Sequence, residues 1–403
     1  MMKSYEIIWE KEYKDGYANC RVKTDSKNNI IACGLDHEYR GLVIKYDKNG
    51  NLLWDDHTLP KAFIKKLVHI SAKRNNKFLG NSFGSLLDIA VDSEDNIIVV
   101  GSFYDSSGKY CIVYVKKYSP DGNAIWEKTL NPFLYSQSTG IDVDAQDNIF
   151  IAGFGGTIIP PSVKGFVIKL SKHNGRIIWK RVSRKLGKFT GFTSVVALED
   201  DVVASGFLSE RNDYELLITK FGGRIGMKKN EVIKKTTVLP AKIVDMKGNY
   251  VVVGQAEETG YSHYLLKMNS NFATIWEEKG MEGGLYDAAI LEGNIVVTGK
   301  IAKDEYYAGL YDGNTGKKIL DMFLGKLVSG GKDINDWMKG ITVDKEGNII
   351  VVGGAPVAKT VKIRIKEEGI TEEGQEEKPS ETGEKESFIE ALIKFFKKLF
   401  GMS

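Results

Sequence analysis

Side chains able to do chemistry are few in this sequence and stand far apart. There are five histidines: His37, His57, His69, His173 and His263. An imidazole works as a general base or a metal ligand, but a ligand set needs two or three rings at short spacing, as in His-x-x-x-His. No such spacing occurs. His37, His57 and His263 would have to converge from separate loops, so they read as solitary loop residues and no metal site is expected. Asp142, Asp144 and Asp147 are spaced like oxygen ligands of a calcium loop. The pattern is incomplete, and the same stretch recurs elsewhere in the chain as an ordinary hairpin turn. Gly153-Phe-Gly-Gly156 is glycine-rich, but it runs into Pro160-Pro161 rather than a helix, which argues against a phosphate cradle. There is no Gly-x-Ser-x-Gly elbow, Walker loop or dinucleotide fingerprint. The expectation is no catalytic residues and no cofactor.

Two other residue types recur in a more orderly way. Lys45, Lys117, Lys169, Lys220 and Lys267 occupy one position of a repeated apolar segment. A charge repeated in this way is expected to pair with a repeated carboxylate, such as Asp25, Asp92 or Asp144. The three cysteines, Cys20, Cys33 and Cys111, are an odd, sparse set that suits a reducing compartment, hence a cytoplasmic expectation. A turn at Asp25–Asn28 with a pairing sum near 53 would set Cys20 opposite Cys33. A one-residue slip in register would abolish that pairing, so two packed thiols are the default reading.

What positions these residues is a repeat. An acidic or polar turn, then Asn or Asp, three or four β-formers and Gly recurs at Asn29–Gly34, Asn96–Gly101, Asn148–Gly153, Asp201–Gly206, Asn249–Gly254, Asn294–Gly299 and Asn348–Gly353. Each copy follows a short apolar strand ending near an Asp, as in Asp88-Ile-Ala-Val-Asp92. Each leads through a variable loop to a third strand, such as Gly41-Leu-Val-Ile-Lys-Tyr46. Turns such as Asp47-Lys-Asn-Gly50 and Ser119-Pro-Asp-Gly122 supply hairpin geometry. A fourth strand then carries Trp54, Trp126, Trp179 or Trp276, with Met227 and Ile319 taking that slot in copies four and six. Four strands per roughly 50-residue unit predict a propeller blade, which buries its faces only by stacking on neighbours. Copy seven lacks its Trp strand. Ile7-Ile-Trp-Glu-Lys11 matches Ala124-Ile-Trp-Glu-Lys128, so residues 5–13 are expected to complete the seventh blade and remove the last free edge.

The pattern Asp-x-x-Asn-Ile-Ile-Val-x-Gly, followed by Val-x-Lys-Tyr and by Gly-x-x-x-Trp, resembles the SBBP-type β-propeller repeat, one of the WD-like repeat architectures. More distantly, Asp312-Gly-Asn-Thr-Gly-Lys317 is similar to quinoprotein-type propeller repeats. The resemblance spans about residues 5–365 and implies an all-β, seven-bladed β-propeller of four-stranded blades. It implies little about function, because such rings serve many roles.

The remaining sequence extends the expected organisation. Residues 1–365 form the propeller, with an insertion at 55–85 in which Thr58-Leu-Pro60 opens a short basic helix. Residues 366–386 hold nine Glu and three Lys, net −6, and read as a disordered acidic tether. Residues 387–403 read as an amphipathic helix. Phe388, Ile389, Leu392, Phe395, Phe396, Leu399 and Phe400 form one face, with Lys394, Lys397 and Lys398 among the residues opposite. That helix is expected on an anionic membrane surface, in a partner's groove or on its own ring. No leader peptide is read at Met1–Trp9 and no run suits a bilayer span. The net charge of +3 gives no basic footprint for nucleic acid.

Binding residues are expected in the loops joining second and third strands: Phe103, Tyr104, Asp105, Phe154, Arg211, Tyr214, Tyr261, His263, Tyr306 and Tyr307. The function read from all this is a non-enzymatic interaction platform for protein partners, recruited to a membrane surface or assembly by its last helix. An enzyme using the central funnel and a purely architectural subunit stand as alternatives.

Overall fold

The computed structural model describes residues 2–38, 40–58, 85–104, 111–133, 135–157, 162–183, 189–210, 213–257, 261–301, 305–326, 338–354 and 356–368. Among these every regular element is a β-strand. Strand β1 (Met2–Tyr13) opens the chain. β2 (Gly16–Thr24), β3 (Ile30–Asp36), β4 (Gly41–Tyr46) and β5 (Leu52–Thr58) form one antiparallel sheet. β6 (Ser85–Val91), β7 (Ile97–Tyr104), β8 (Cys111–Tyr118) and β9 (Ala124–Leu130) form the next. It is followed by β10 (Tyr135–Val143), β11 (Ile149–Thr157), β12 (Ser162–Leu170) and β13 (Ile177–Val182). Then come β14 (Phe189–Ala197), β15 (Asp201–Glu210), β16 (Asp213–Gly222) and β17 (Lys228–Lys234). A seven-stranded sheet holds β18 (Val238–Met246), β19 (Asn249–Glu257), β20 (Tyr261–Met268), β21 (Thr274–Leu291), β22 (Asn294–Ile301), β23 (Glu305–Tyr311) and β24 (Lys318–Lys326). The last sheet has the order β1, β27 (Ala358–Glu368), β26 (Ile349–Gly353), β25 (Met338–Val343), so the first strand of the chain lies at its edge.

Strand β2 packs beside β6, β6 beside β10, and so on through β14, β18, β21 and β25, which packs beside β2 again. These strands therefore close a ring around an axis. The first half of β21 pairs with β20 and its second half with β22. Gly283, at φ 135°, stands where the strand changes partner. An added Cβ there would meet the Lys300 carbonyl oxygen at 2.0 Å, so only glycine fits.

The core lies between sheets. Ile31 and Val43 of one sheet pack with Ile89, Val99 and Tyr114 of the next. Ile98 and Val113 pack with Ile149 and Phe166, and within the seven-stranded sheet Val251 and Leu265 of its first half pack with Val297 and Tyr307 of its second. A second or third strand is thus covered on both faces. That is why these strands read as continuous apolar runs, such as the wholly buried β4 and β8, rather than alternating ones. The turn before each second strand is held by its Asp. Asp25 Oδ1 accepts the Lys27 and Asn29 amides at 3.0 and 2.9 Å, and Asp92, Asp144 and Asp344 repeat the arrangement with Asn96, Asn148 and Asn348.

Three expectations need correction or placement. β27 continues to Glu368, so Lys366, Glu367 and Glu368 belong to a strand and not to the tether. Lys3 Nζ lies 3.6 Å from Glu367 across that edge. Cys20 does not face Cys33. The register pairs Arg21 with Cys33 and Asn19 with Gly34, leaving Cys20 on a bulge, and all three cysteines are buried free thiols. Residues 59–84 of the insertion, and the segments 369–386 and 387–403, lie outside the described residues.

Candidate functional site

Every axial strand is bulged at an equivalent step. The residues left out of register are Cys20, Leu87, Thr139, Thr193, Ala241, Tyr286 and Lys339. A bulge re-aims a side chain away from its sheet, and all seven line a funnel of about 450 Å³ on the axis. Phe154, Phe207, Leu239, Pro240, Leu285, Gln255 and Arg21 complete its described wall. The Thr139 hydroxyl donates to the Phe192 carbonyl at 2.7 Å, so it faces back into the framework.

The residues one step beyond the bulges form the waist. Lys242 Nζ donates to Asp88 Oδ2 at 3.2 Å. Arg21 Nε lies 3.9 Å from Asp88 and 3.7 Å from Asp287. The Arg21 Nη atoms donate to the carbonyls of Cys20, Lys339 and Tyr286. Burial works against charge on both cations and on Asp88. The mutual pairing outweighs it: Asp88 is held below the ordinary carboxylate value by Lys242 and Arg21, and Lys242 and Arg21 are raised by the two aspartates. The carboxylates also stitch the ring together. Asp88 accepts the Ile141 amide, Asp142 the Ala197 amide and Asp287 the Ile341 amide, each from the next axial strand. Below the waist a chamber of about 300 Å³ is lined by Lys23, Asp142, Asp245 and the same four charges. Asp142, half-buried in the chamber wall and, among the described residues, without a cation in hydrogen-bond contact, is pushed up by desolvation.

The outer edge carries a second repeated device. In five junctions one turn carbonyl accepts from both the recurrent Lys and the recurrent Trp. Lys45 and Trp54 share Pro120 O at 2.9 and 3.1 Å. Lys117 and Trp126 share Lys172 O, Lys169 and Trp179 share Gly223 O, and Lys267 and Trp276 share Gly313 O. Trp9 and Lys362 share Lys48 O. The expected carboxylate partners are present. Lys45 lies 2.8 Å from Asp25, Lys117 2.7 Å from Asp92 and Lys169 3.5 Å from Asp144. Lys220–Asp201 and Lys362–Asp344 continue the series.

The expected binding residues do not gather in one place. Phe103, His263, Tyr306 and Tyr307 are buried between sheets and present no surface to a ligand. His263 stacks 5.0 Å from Tyr307 and bonds the Lys300 carbonyl, and burial lowers its pKa. Phe154 and Tyr214 do approach the funnel, joined through Phe207 at ring separations of 6.2 and 5.8 Å. Tyr261 is 52% exposed, on β20. The side chains of Tyr104, Asp105 and Arg211, like the helix residues 388–400, lie outside the described residues. The would-be calcium ligands diverge. Asp142 faces the axial chamber, Asp144 holds its turn and Lys169, and Asp147 caps the Ser93 amide at 2.9 Å. Among the described residues no group of three or more His, Cys, Asp or Glu is placed to hold a metal. The bulge residues were missed because they are chemically dissimilar.

No protein-family model matches the chain. Over 159 residues it is 28% identical to an uncharacterized WD repeat-containing protein of Acanthamoeba polyphaga mimivirus; that match takes in 34% of this chain and only 9% of the relative's length. Among solved structures it resembles BamB from Moraxella catarrhalis with a TM-score of 0.50 at 12% identity, covering 89% of this chain and 99% of that one. Closed ring, repeated four-stranded units and this likeness together identify the chain as a β-propeller repeat protein.

Proposed function

We propose that this chain is a seven-bladed, SBBP-type propeller acting as a non-enzymatic interaction platform whose partners engage the axial funnel. The observation carrying this reading is the contrast along the axis. One end opens as a funnel with Leu87, Phe154, Phe207, Leu239 and Leu285 in its wall, while the waist beneath it is filled by charges that satisfy one another. An apolar concavity on a rigid scaffold is a surface that a partner's side chains desolvate favourably. The WD-repeat relative points the same way. The blade count is supported by reading the seven-stranded sheet as two four-stranded units that share β21. Leu87→Glu places a charge in the funnel and is expected to abolish partner binding while leaving the melting temperature near that of the parent. Unchanged binding would refute the funnel as the contact.

The tail completes the proposal. Residues 369–386 serve as an acidic tether, and the helix at 387–403 recruits the ring to an anionic membrane surface in the cytoplasm, or to a partner groove. The buried free thiols suit that compartment. Flotation with vesicles of mixed phosphatidylcholine and phosphatidylserine, comparing the full chain with one lacking 387–403, tests the membrane version. Equal flotation of both would sink it.

A further inference from the structure

The outer strands of the ring expose aliphatic side chains on several sheets, but the charges around them differ. Leu52 and Leu53 stand with Asp47, Asp55 and Asp56, and Ile275 with Glu277, Glu278 and Glu282. The third and fourth sheets are different. Residues 171–182, the last turn of the third sheet with β13, carry four cations and no carboxylate. Residues 222–235, the same stretch of the fourth sheet, carry five cations and a single carboxylate, Glu231. The whole chain is only +3, so its positive charge is concentrated in this sector. Ile177, Ile178, Ile225 and Met227 are 44–59% exposed there.

The two stretches form one surface. Arg181 of β13 donates to the Gly226 carbonyl at 2.9 Å and to the Ile225 carbonyl, and the Trp179 indole donates to the Gly223 carbonyl. These bonds hold the Ile225 turn beside Ile177 and Ile178, and they leave the charge of Arg181 uncancelled. Lys172, Lys228, Lys229 and Lys234 have acidic partners. Arg176, Arg224 and Lys235 are exposed and have no ion pair among the described residues. Glu199 and Asp200, in the first turn of the fourth sheet, stand on the axial side of this rim.

We infer that this rim of the ring itself docks on an anionic phospholipid bilayer. Ile225 and Met227 enter the acyl boundary, while Arg176, Arg224 and Lys235 face lipid phosphates. The rim is the convex outside of a closed ring, which suits a flat surface better than an extended peptide. The cleft of about 240 Å³ beside it, between the two sheets, includes Glu231 along with Arg181 and Lys228. The positive field therefore belongs to the rim and not to a pocket. This contact is separate from the helix proposed for 387–403, and it fixes an orientation that a tethered helix leaves free. Edge-on docking keeps the funnel mouth open to partners.

The test is flotation of the full chain with vesicles of phosphatidylcholine, alone or mixed with phosphatidylserine. Binding to the mixed vesicles that falls as salt is raised is expected. The pair Arg176→Glu with Arg224→Glu, and the pair Ile225→Ser with Met227→Ser, are each expected to weaken it about tenfold or more. Comparison with the chain lacking 387–403 separates the two contacts. Binding kept by the deletion and lost in both pairs would support the rim and sink the helix. Binding lost in the deletion and unchanged in both pairs would overturn the rim and leave the helix reading standing. Partial loss in all three would support both contacts acting together. Equal binding to neutral and mixed vesicles, or to neither, would overturn the inference. Binding to polyglutamate but not to vesicles would replace the bilayer by an acidic protein and overturn it as well. All four substituted side chains are exposed, and melting curves check that the variants fold.

Discussion

Trp9 and Lys362, from opposite ends of the chain, donate hydrogen bonds to the same acceptor, the carbonyl oxygen of Lys48, each at 3.2 Å. Trp54 with Lys45, and Trp126 with Lys117, make the same pair of bonds between sheets that are continuous in sequence. The closure of the ring therefore uses the joint that also holds its interior. Trp9→Ala should cost about 3 kcal/mol, the low end for a large aromatic because the ring is only partly buried. Deleting residues 1–13 should do more, leaving β27 as an open edge prone to pairing with other chains. Chemical denaturation and light scattering check the two outcomes.

The Lys117–Asp92 pair, 2.7 Å apart and buried, should behave as a unit. Lys117→Met or Asp92→Asn alone should each cost about 3–5 kcal/mol, because the partner is left buried without compensation. The double variant should cost clearly less than the sum. A double-mutant cycle by urea denaturation measures the coupling.

Much of this framework was legible in the residues themselves. The Asn-Ile-Ile-Val-Val-Gly phrase, the Trp slot and the Asp–Lys pairing all reflect local chemistry repeated at one step of a unit. The site was far less legible. Cys20, Leu87, Thr139 and Lys339 share no chemistry, only a bulge that turns each toward the axis. A bulge depends on pairing with the neighbouring strand, which a single segment does not reveal. Tyr306, Tyr307 and His263 were misplaced for a related reason. The third strands begin earlier than the loop-like spacing suggested, so these rings are buried between sheets instead of standing on the surface.

Glycine in the outer turns is held by a neighbouring sheet as well as by its own backbone. Gly122 has a φ of 85°, and an added Cβ would lie 2.8 Å from the Trp54 ring. Gly248 has a similar φ of 83° with nothing within 4 Å. Gly248→Ala should cost about 1–2 kcal/mol from left-handed strain alone. Gly122→Ala should cost that and about 1–3 kcal/mol more for the displaced indole. Equal losses in thermal melts would show that the indole yields freely.

The aspartates should give stability two opposed pH dependences. Burial alone would raise Asp25, Asp88 and Asp344, but Lys45 at the first, Lys242 and Arg21 at the second, and the Asn348 amide with Lys362 at the third hold each below the ordinary value. Their contribution is full above about pH 4 and is lost as pH falls through the lowered native values, where the unfolded chain binds more protons. Asp142 is raised by burial, so the folded state holds the extra proton and stability falls as pH rises through that window. Asp88→Asn should weaken the protein at neutral pH and flatten the acid limb. Asp142→Asn should strengthen it at neutral pH and gain nothing at pH 3.5. Denaturation midpoints across pH 3–8 distinguish the two.

The platform account meets its most direct test in competition. A peptide selected on the funnel should displace a protein partner captured by the full chain, and should fail to bind the Leu87→Glu form. Release of the partner at peptide concentrations near the measured Kd is the predicted result. A partner retained at saturating peptide would contradict the account and place the working surface elsewhere on the ring.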